Sequence, residues 1–143
     1  MNTKKLLFTT FLLVSVLTNH VNAQTIYHEQ YRPQIHFSPK EKWTNDPNGM
    51  VYYNGIYHLF FQYYPDSTVW GPMHWGHAVS PDLIHWETLP IALYPDEHGT
   101  IFSGSAVIDH ENTAGFGKDA MVAVFSYNTQ AQGVAYSTDR GRT

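Results

Sequence analysis

The 143 residues carry a formal charge of −4 with histidine neutral, 14% charged and 15% aromatic residues, and no cysteine. The lack of cysteine excludes a disulfide-stapled scaffold and a thiolate-ligated metal, and the acidic balance excludes the basic footprint of a nucleic-acid binder. An aromatic-rich, charge-poor chain suits sugars, whose C–H faces stack on rings while their hydroxyls bond polar neighbours, although β-sheet cores share that composition.

The first residues read as a leader. Lys4 and Lys5 precede the apolar run Leu6 to Leu17, and Val21-Asn22-Ala23 places small residues where a signal peptidase cuts. A signal peptide over 1–23, cleaved after Ala23, is expected, with a product that is secreted or periplasmic. The apolar run is too short for a membrane span, so no membrane attachment is expected after cleavage. Loss of Lys4 and Lys5 takes the formal charge from −4 to −6. Residues 24–42, polar and broken by Pro33 and Pro39, read as an N-terminal arm, and 43–143 as the folded domain.

From Met50 the pattern is all-β. Met50–Tyr53 and Ile56–Phe61 are β-rich runs flanking Asn54-Gly55, a pair that tolerates the positive φ of a tight hairpin turn. His74–Ser80, Ile101–Asp109, Met121–Tyr127 and Gly133–Ser137 read as further short strands between Gly, Pro, Asn and Asp clusters. No window holds a helical period over three turns.

The chain also resembles itself. Gly76-His77-Ala78-Val79-Ser80-Pro81-Asp82 and Gly133-Val134-Ala135-Tyr136-Ser137-Thr138-Asp139 share the frame G-x-A-x-S-x-D, and upstream Phe61-Gln62-Tyr63 matches Phe125-Ser126-Tyr127. The stretch between these elements is longer in the first copy, where it holds Pro65 to Trp70. A repeat at an offset of 57 residues, built from short strands, indicates propeller blades. Asp82 and Asp139 read as turn residues that accept backbone N–H bonds. A ring needs at least four blades, so about two blades imply the N-terminal part of a propeller, truncated before ring closure.

Candidate chemistry centres on Trp43-Thr44-Asn45-Asp46-Pro47-Asn48-Gly49. Asp-Pro-Asn-Gly is a favourable β-turn tetrapeptide, yet a turn requires neither the Trp nor the Asn ahead of it, whereas a sugar site uses an aromatic platform and a bonding amide. The segment is expected directly before the first strand. His74, His77 and His85 are expected in structural or hydrogen-bonding roles, because His-x-x-His on a strand points its imidazoles to opposite faces. No metal and no other cofactor is expected.

Trp-x-Asn-Asp-Pro-Asn-Gly, followed by Phe60-Phe61-Gln62-Tyr63, Trp70-Gly71-Pro72, the run Trp75 to Trp86 and Phe102-Ser103-Gly104-Ser105, resembles glycoside hydrolase family 32, the invertases, inulinases and levanases. The resemblance implies a five-bladed propeller acting on fructan or sucrose. It implies Asp46 as nucleophile at the anomeric C2 of a fructosyl unit, with Trp43, Thr44, Asn45, Gln62, Trp70, Phe102 and Ser103 binding substrate. Thr44 departs from the Met or Leu frequent there. A retaining glycosidase also needs an acid/base carboxyl. The family supplies it in a Glu-Cys motif, after an Arg-Asp-Pro motif, and neither is in these residues. Glu41, Glu87, Glu97 and Glu111 match neither motif, so residues 24–143 alone are expected to be inactive. The alternative is a non-catalytic fructan-binding propeller that lacks the acid/base. Families 43 and 68 share the propeller, but not this string. Linkage preference, exo or endo action and oligomeric state stay open.

Overall fold

The computed structural model describes residues 29–33 and 35–142, so the expected leader and its cleavage site lie outside the described residues. The chain divides into two units between Arg32 and Pro33. In the first, Glu29 and Arg32 close a turn with a 3.1 Å backbone bond and a 2.7 Å ion pair. The second unit is all-β among its described residues, with seven strands: β1 (Trp43–Tyr53), β2 (Ile56–Tyr64), β3 (His74–Ser80), β4 (Glu87–Leu93), β5 (Ile101–Asp109), β6 (Ala120–Tyr127) and β7 (Gln132–Ser137). They form two antiparallel meanders, β1-β2-β3-β4 and β5-β6-β7.

The Asn54-Gly55 hairpin forms as expected, with φ of 49° and 84°. Two elements differ from the sequence reading. β1 begins at Trp43, so the Asp46 segment lies inside the first strand and not ahead of it. β4 was not expected, because Pro90 interrupts its pattern; it forms as an edge strand, where a missing N–H costs no ladder bond, and its register slips beside Pro90 between Leu89 and Leu93.

The repeat has a steric cause. Phe61 pairs with Gly76 across β2 and β3, and Phe125 pairs with Gly133 across β6 and β7. A Cβ on Gly76 would lie 2.3 Å from the Phe61 ring, and one on Gly133 would lie 2.5 Å from the Phe125 ring. Each aromatic lies flat on its neighbour's bare backbone, which fixes both residue types. The closing turns repeat as well. Ser80 Oγ accepts from the Asp82 and Leu83 N–H groups, and Asp82 Oδ1 from those of Ile84 and His85. Ser137 Oγ accepts from the Asp139 and Gly141 N–H groups, and Asp139 Oδ1 from that of Arg142. His85 Nδ1 lies 2.6 Å from Asp82 Oδ2, and this bond, with those backbone donors, holds the Asp82 carboxyl far below the usual carboxylate range.

The sheets bury Phe60 and Trp75 from the first against Ile101, Ala106, Met121, Phe125 and Tyr127 from the second. On the opposite side of the first sheet, Phe37 packs on Phe61 and Trp86 with ring centroids 4.8 and 5.7 Å away. On the core side, His58 Nδ1 lies 3.1 Å from His77 Nε2, and His77 stacks on Phe60. Burial, reinforced by His58 and Arg142, pushes His77 down from 6.5 to about 3. The unfolded chain takes up this proton near pH 6.5 while the folded one refuses it until about pH 3. Stability from this residue is therefore complete above pH 6.5 and declines as pH falls through that window. His77→Gln, which removes the titration, is expected to lose less of its melting temperature than wild type between about pH 7 and about pH 4.5. Equal losses in the two proteins would rule out His77 as a source of acid sensitivity.

Candidate active site

The turn chemistry of Asp-Pro-Asn-Gly is real, but it is expressed as bulges within a strand. Asn45 pairs with Gln62 and Pro47 with Phe61, which leaves Asp46 as an extra residue at φ 36°. A second irregularity lies between Asn48 and Val51, where Gly49 takes φ 56°. Pro47 is tolerated because β1 is an edge strand of its sheet. The second sheet repeats the device: Ile101 pairs with Tyr127 and Gly104 with Phe125, so Phe102 and Ser103 together oppose Ser126. Pro47 and Gly104 both pair with the repeat's aromatic, which places Asp46 and Ser103 at the same node of their sheets. Bulges re-aim side chains, and here they aim two toward each other: Ser103 Oγ donates to Asp46 Oδ2 at 3.2 Å.

A cavity of about 340 Å³ opens on this contact. Of the eight residues singled out from sequence, six line it: Asn45, Asp46, Gln62, Trp70, Phe102 and Ser103. Trp43 and Thr44 do not. Trp43 Nε1 donates to Asn45 Oδ1 at 2.7 Å, which occupies the amide oxygen and leaves its NH₂ as the group to offer a ligand. Thr44 Oγ1 donates to the Gln62 carbonyl at 3.2 Å and ties β1 to β2 beside the site. Gln62 is 2% exposed and its Nε2 has no partner, although buried polar atoms are nearly always bonded. Trp70 is 58% exposed on the loop between β2 and β3. The next residue, Gly71, lies so close to Tyr64 that a Cβ would sit 2.3 Å from its ring. That contact anchors the loop on Tyr64.

Sequence reasoning missed Ser126, the seventh lining residue. The available signal was the repeat, which aligns Ser126 with Gln62. Among the described residues the lining holds one carboxylate and no Lys, Arg or His. Such a wall suits a neutral polyhydroxylated ligand and offers no cation to pair with an anion. His74 bonds Pro72 O at 2.9 Å, and His77 and His85 have the partners described above. A larger cavity of about 450 Å³ lies between β4 and the second sheet, but its wall is mainly apolar and contains no carboxylate.

The β5 bulge depends on the core beneath it. Trp75, fully buried, donates its indole N–H to Phe102 O at 2.9 Å, and Ile101 N–H donates to Met73 O at 3.0 Å. A Cβ on Gly104 would sit 2.0 Å from Val124 O and 2.7 Å from Phe125 Cα, both backbone atoms that cannot rotate away. Gly104→Ala is expected to cost on the order of 3 kcal/mol in urea unfolding. Gly55→Ala meets nothing within 4 Å and strains only its φ of 84°, a cost of about 1 kcal/mol. Equal costs would show that the bulge backbone yields.

Residues 36–143 match the glycosyl hydrolases family 32 N-terminal domain. The chain is 57% identical over 140 residues to a levanase of Bacillus subtilis (strain 168), covering 94% of this chain and 21% of that protein. Among solved structures, it matches an exo-inulinase from Aspergillus awamori with a TM-score of 0.76 and 46% identity, over 82% of this chain and 28% of that one. A β-fructofuranosidase from Schwanniomyces occidentalis, complexed with fructosyl-erythritol, matches with a TM-score of 0.74 and 45% identity, over 78% of this chain and 24% of that one. The chain therefore spans less than a third of the length of these relatives, and its two sheets are two blades of an unclosed β-propeller.

Proposed function

The chain belongs to glycosyl hydrolases family 32, and from that premise we propose that its parent protein hydrolyses terminal β-D-fructofuranosyl bonds of levan, inulin or sucrose, with Asp46 as nucleophile. The observation that carries this reading is the Asp46 carboxylate. It is turned into the cavity by a bulge, held by Ser103 at 3.2 Å, and surrounded by uncharged hydrogen-bonding and aromatic groups.

In this reading the terminal fructosyl ring sits over the Asp46–Ser103 contact, with Trp70 and Phe102 against its C–H faces. The Asn45 amide nitrogen and Gln62 Nε2 bond its hydroxyls. Asp46 Oδ attacks C2, the C2–O glycosidic bond breaks, and the leaving oxygen takes a proton from a carboxylic acid. Water then adds to C2 of the fructosyl-enzyme, the C2–Oδ bond breaks, and the same carboxylate recovers a proton from the water. Two displacements retain configuration. The acid/base group must lie about 5 Å from Asp46. Among the described residues no second carboxylate lines the cavity, so we assign that group to a later part of the polypeptide and expect residues 24–143 alone to be inactive. Export by the leader fits a polymeric substrate met outside the cytoplasm.

Full-length protein with Asp46→Asn is expected to lose about 10⁴-fold or more in kcat on sucrose and inulin, on the scale of losing a catalytic nucleophile. Wild type is expected to release β-fructose first, as seen by proton NMR. Full activity in the variant would refute the assignment, whereas sugar binding without turnover in the wild type would favour the non-catalytic binder.

A further inference from the structure

Ser126 lines the same cavity as Asp46 and Gln62. Its position is set by the repeat. Gln62 lies between Phe61 and Tyr63 on β2, and Ser126 between Phe125 and Tyr127 on β6. Phe61 pairs with Pro47 and Gly76, and Phe125 with Gly104 and Gly133. The two polar side chains thus occupy equivalent nodes on either side of the Asp46–Ser103 contact: β2 lies beside β1, and β6 beside β5.

The local bonding prepares Ser126 to donate. Gln132, paired with Ser126 across β6 and β7, donates from Nε2 to Ser126 Oγ at 3.0 Å, while the reverse bond from Oγ to Oε1 is longer, at 3.4 Å. With the shorter bond made, the serine oxygen is used as an acceptor and its proton is free to point elsewhere. The loop between β6 and β7 spans only residues 128–131, against 65–73 between β2 and β3. No counterpart of Trp70 extends from that shorter loop.

We propose that Ser126 is a second hydroxyl-recognition residue of this cavity. It donates a hydrogen bond to a sugar oxygen on the side of the Asp46–Ser103 contact away from Gln62, with Gln132 orienting its proton. This rests on reading the cavity as a fructosyl site. The fructosyl ring carries oxygens around its whole edge, and Gln62 and Ser126 place polar groups on both sides of the Asp46–Ser103 contact.

The test is calorimetric binding of free fructose and of a set of monodeoxyfructoses to the full-length protein. Ser126→Ala is expected to weaken fructose binding about five- to tenfold, the worth of one neutral hydrogen bond. Ser126→Thr, which keeps the hydroxyl, is expected to restore most of it. One deoxy sugar should bind wild type more weakly than fructose does, yet bind Ser126→Ala no more weakly than fructose does, a coupling that a purely structural role would not produce. Ser126→Ala with unchanged fructose affinity, alongside a loss in Gln62→Ala, would overturn the role of Ser126 alone. Unchanged affinity in both variants would overturn the reading of the cavity itself. If Ser126→Ala does not fold, the same deoxy comparison on Gln132→Leu decides: unchanged deoxy penalties there overturn the proposal.

Discussion

The seam between β1 and β5 holds the site together, and it is fixed from below by a buried indole. Trp75 belongs to the first sheet and is fully buried, yet its N–H bonds the carbonyl of Phe102 in the second. A buried indole N–H without a partner is costly, so this bond locks the β5 bulge against the first sheet. Ser103, the next residue, then meets Asp46 at 3.2 Å. The catalytic geometry proposed here is thus a property of two blades docked in one relation. Neither sheet alone could hold both members of that pair.

Bulges at equivalent nodes make the seam chemical as well as structural. A regular strand alternates its side chains between faces, and an extra residue breaks that alternation. In β1 the extra residue is Asp46; in β5, Phe102 and Ser103 share one partner. The backbone needed at these points selects Gly49 for its positive φ and Gly104 for the lack of space around it. Among the described residues the wall holds one carboxylate and no cation, which leaves the surrounding amides and hydroxyls to choose a neutral ligand.

Much of this was legible in the sequence, for identifiable reasons. The Asn54-Gly55 hairpin could be read because both residues favour the φ values they adopt. The repeat could be read because an aromatic ring on a bare glycine fixes two residue types at a constant register. β4 could not be read, because Pro90 is tolerated only by virtue of an edge position that the sequence does not reveal. The start of β1 was hidden because Asp-Pro-Asn-Gly has the local preferences of a turn, and pairing with β2 turns those preferences into bulges. The His58–His77 contact and the role of Trp75 depend on register and sheet docking, which no local pattern encodes. Ser126 was concealed by its ordinary residue type, although the repeat held its address.

The central claim is that Asp46 forms a bond to the sugar. Full-length protein, mixed with sucrose, quenched in acid during turnover and digested, can be examined by mass spectrometry for a peptide that gains one anhydrofructose unit. That gain is expected on the peptide containing Asp46, at the Asp46 side chain. An adduct on a different carboxylate would contradict it, as would release of α-fructose as the first product.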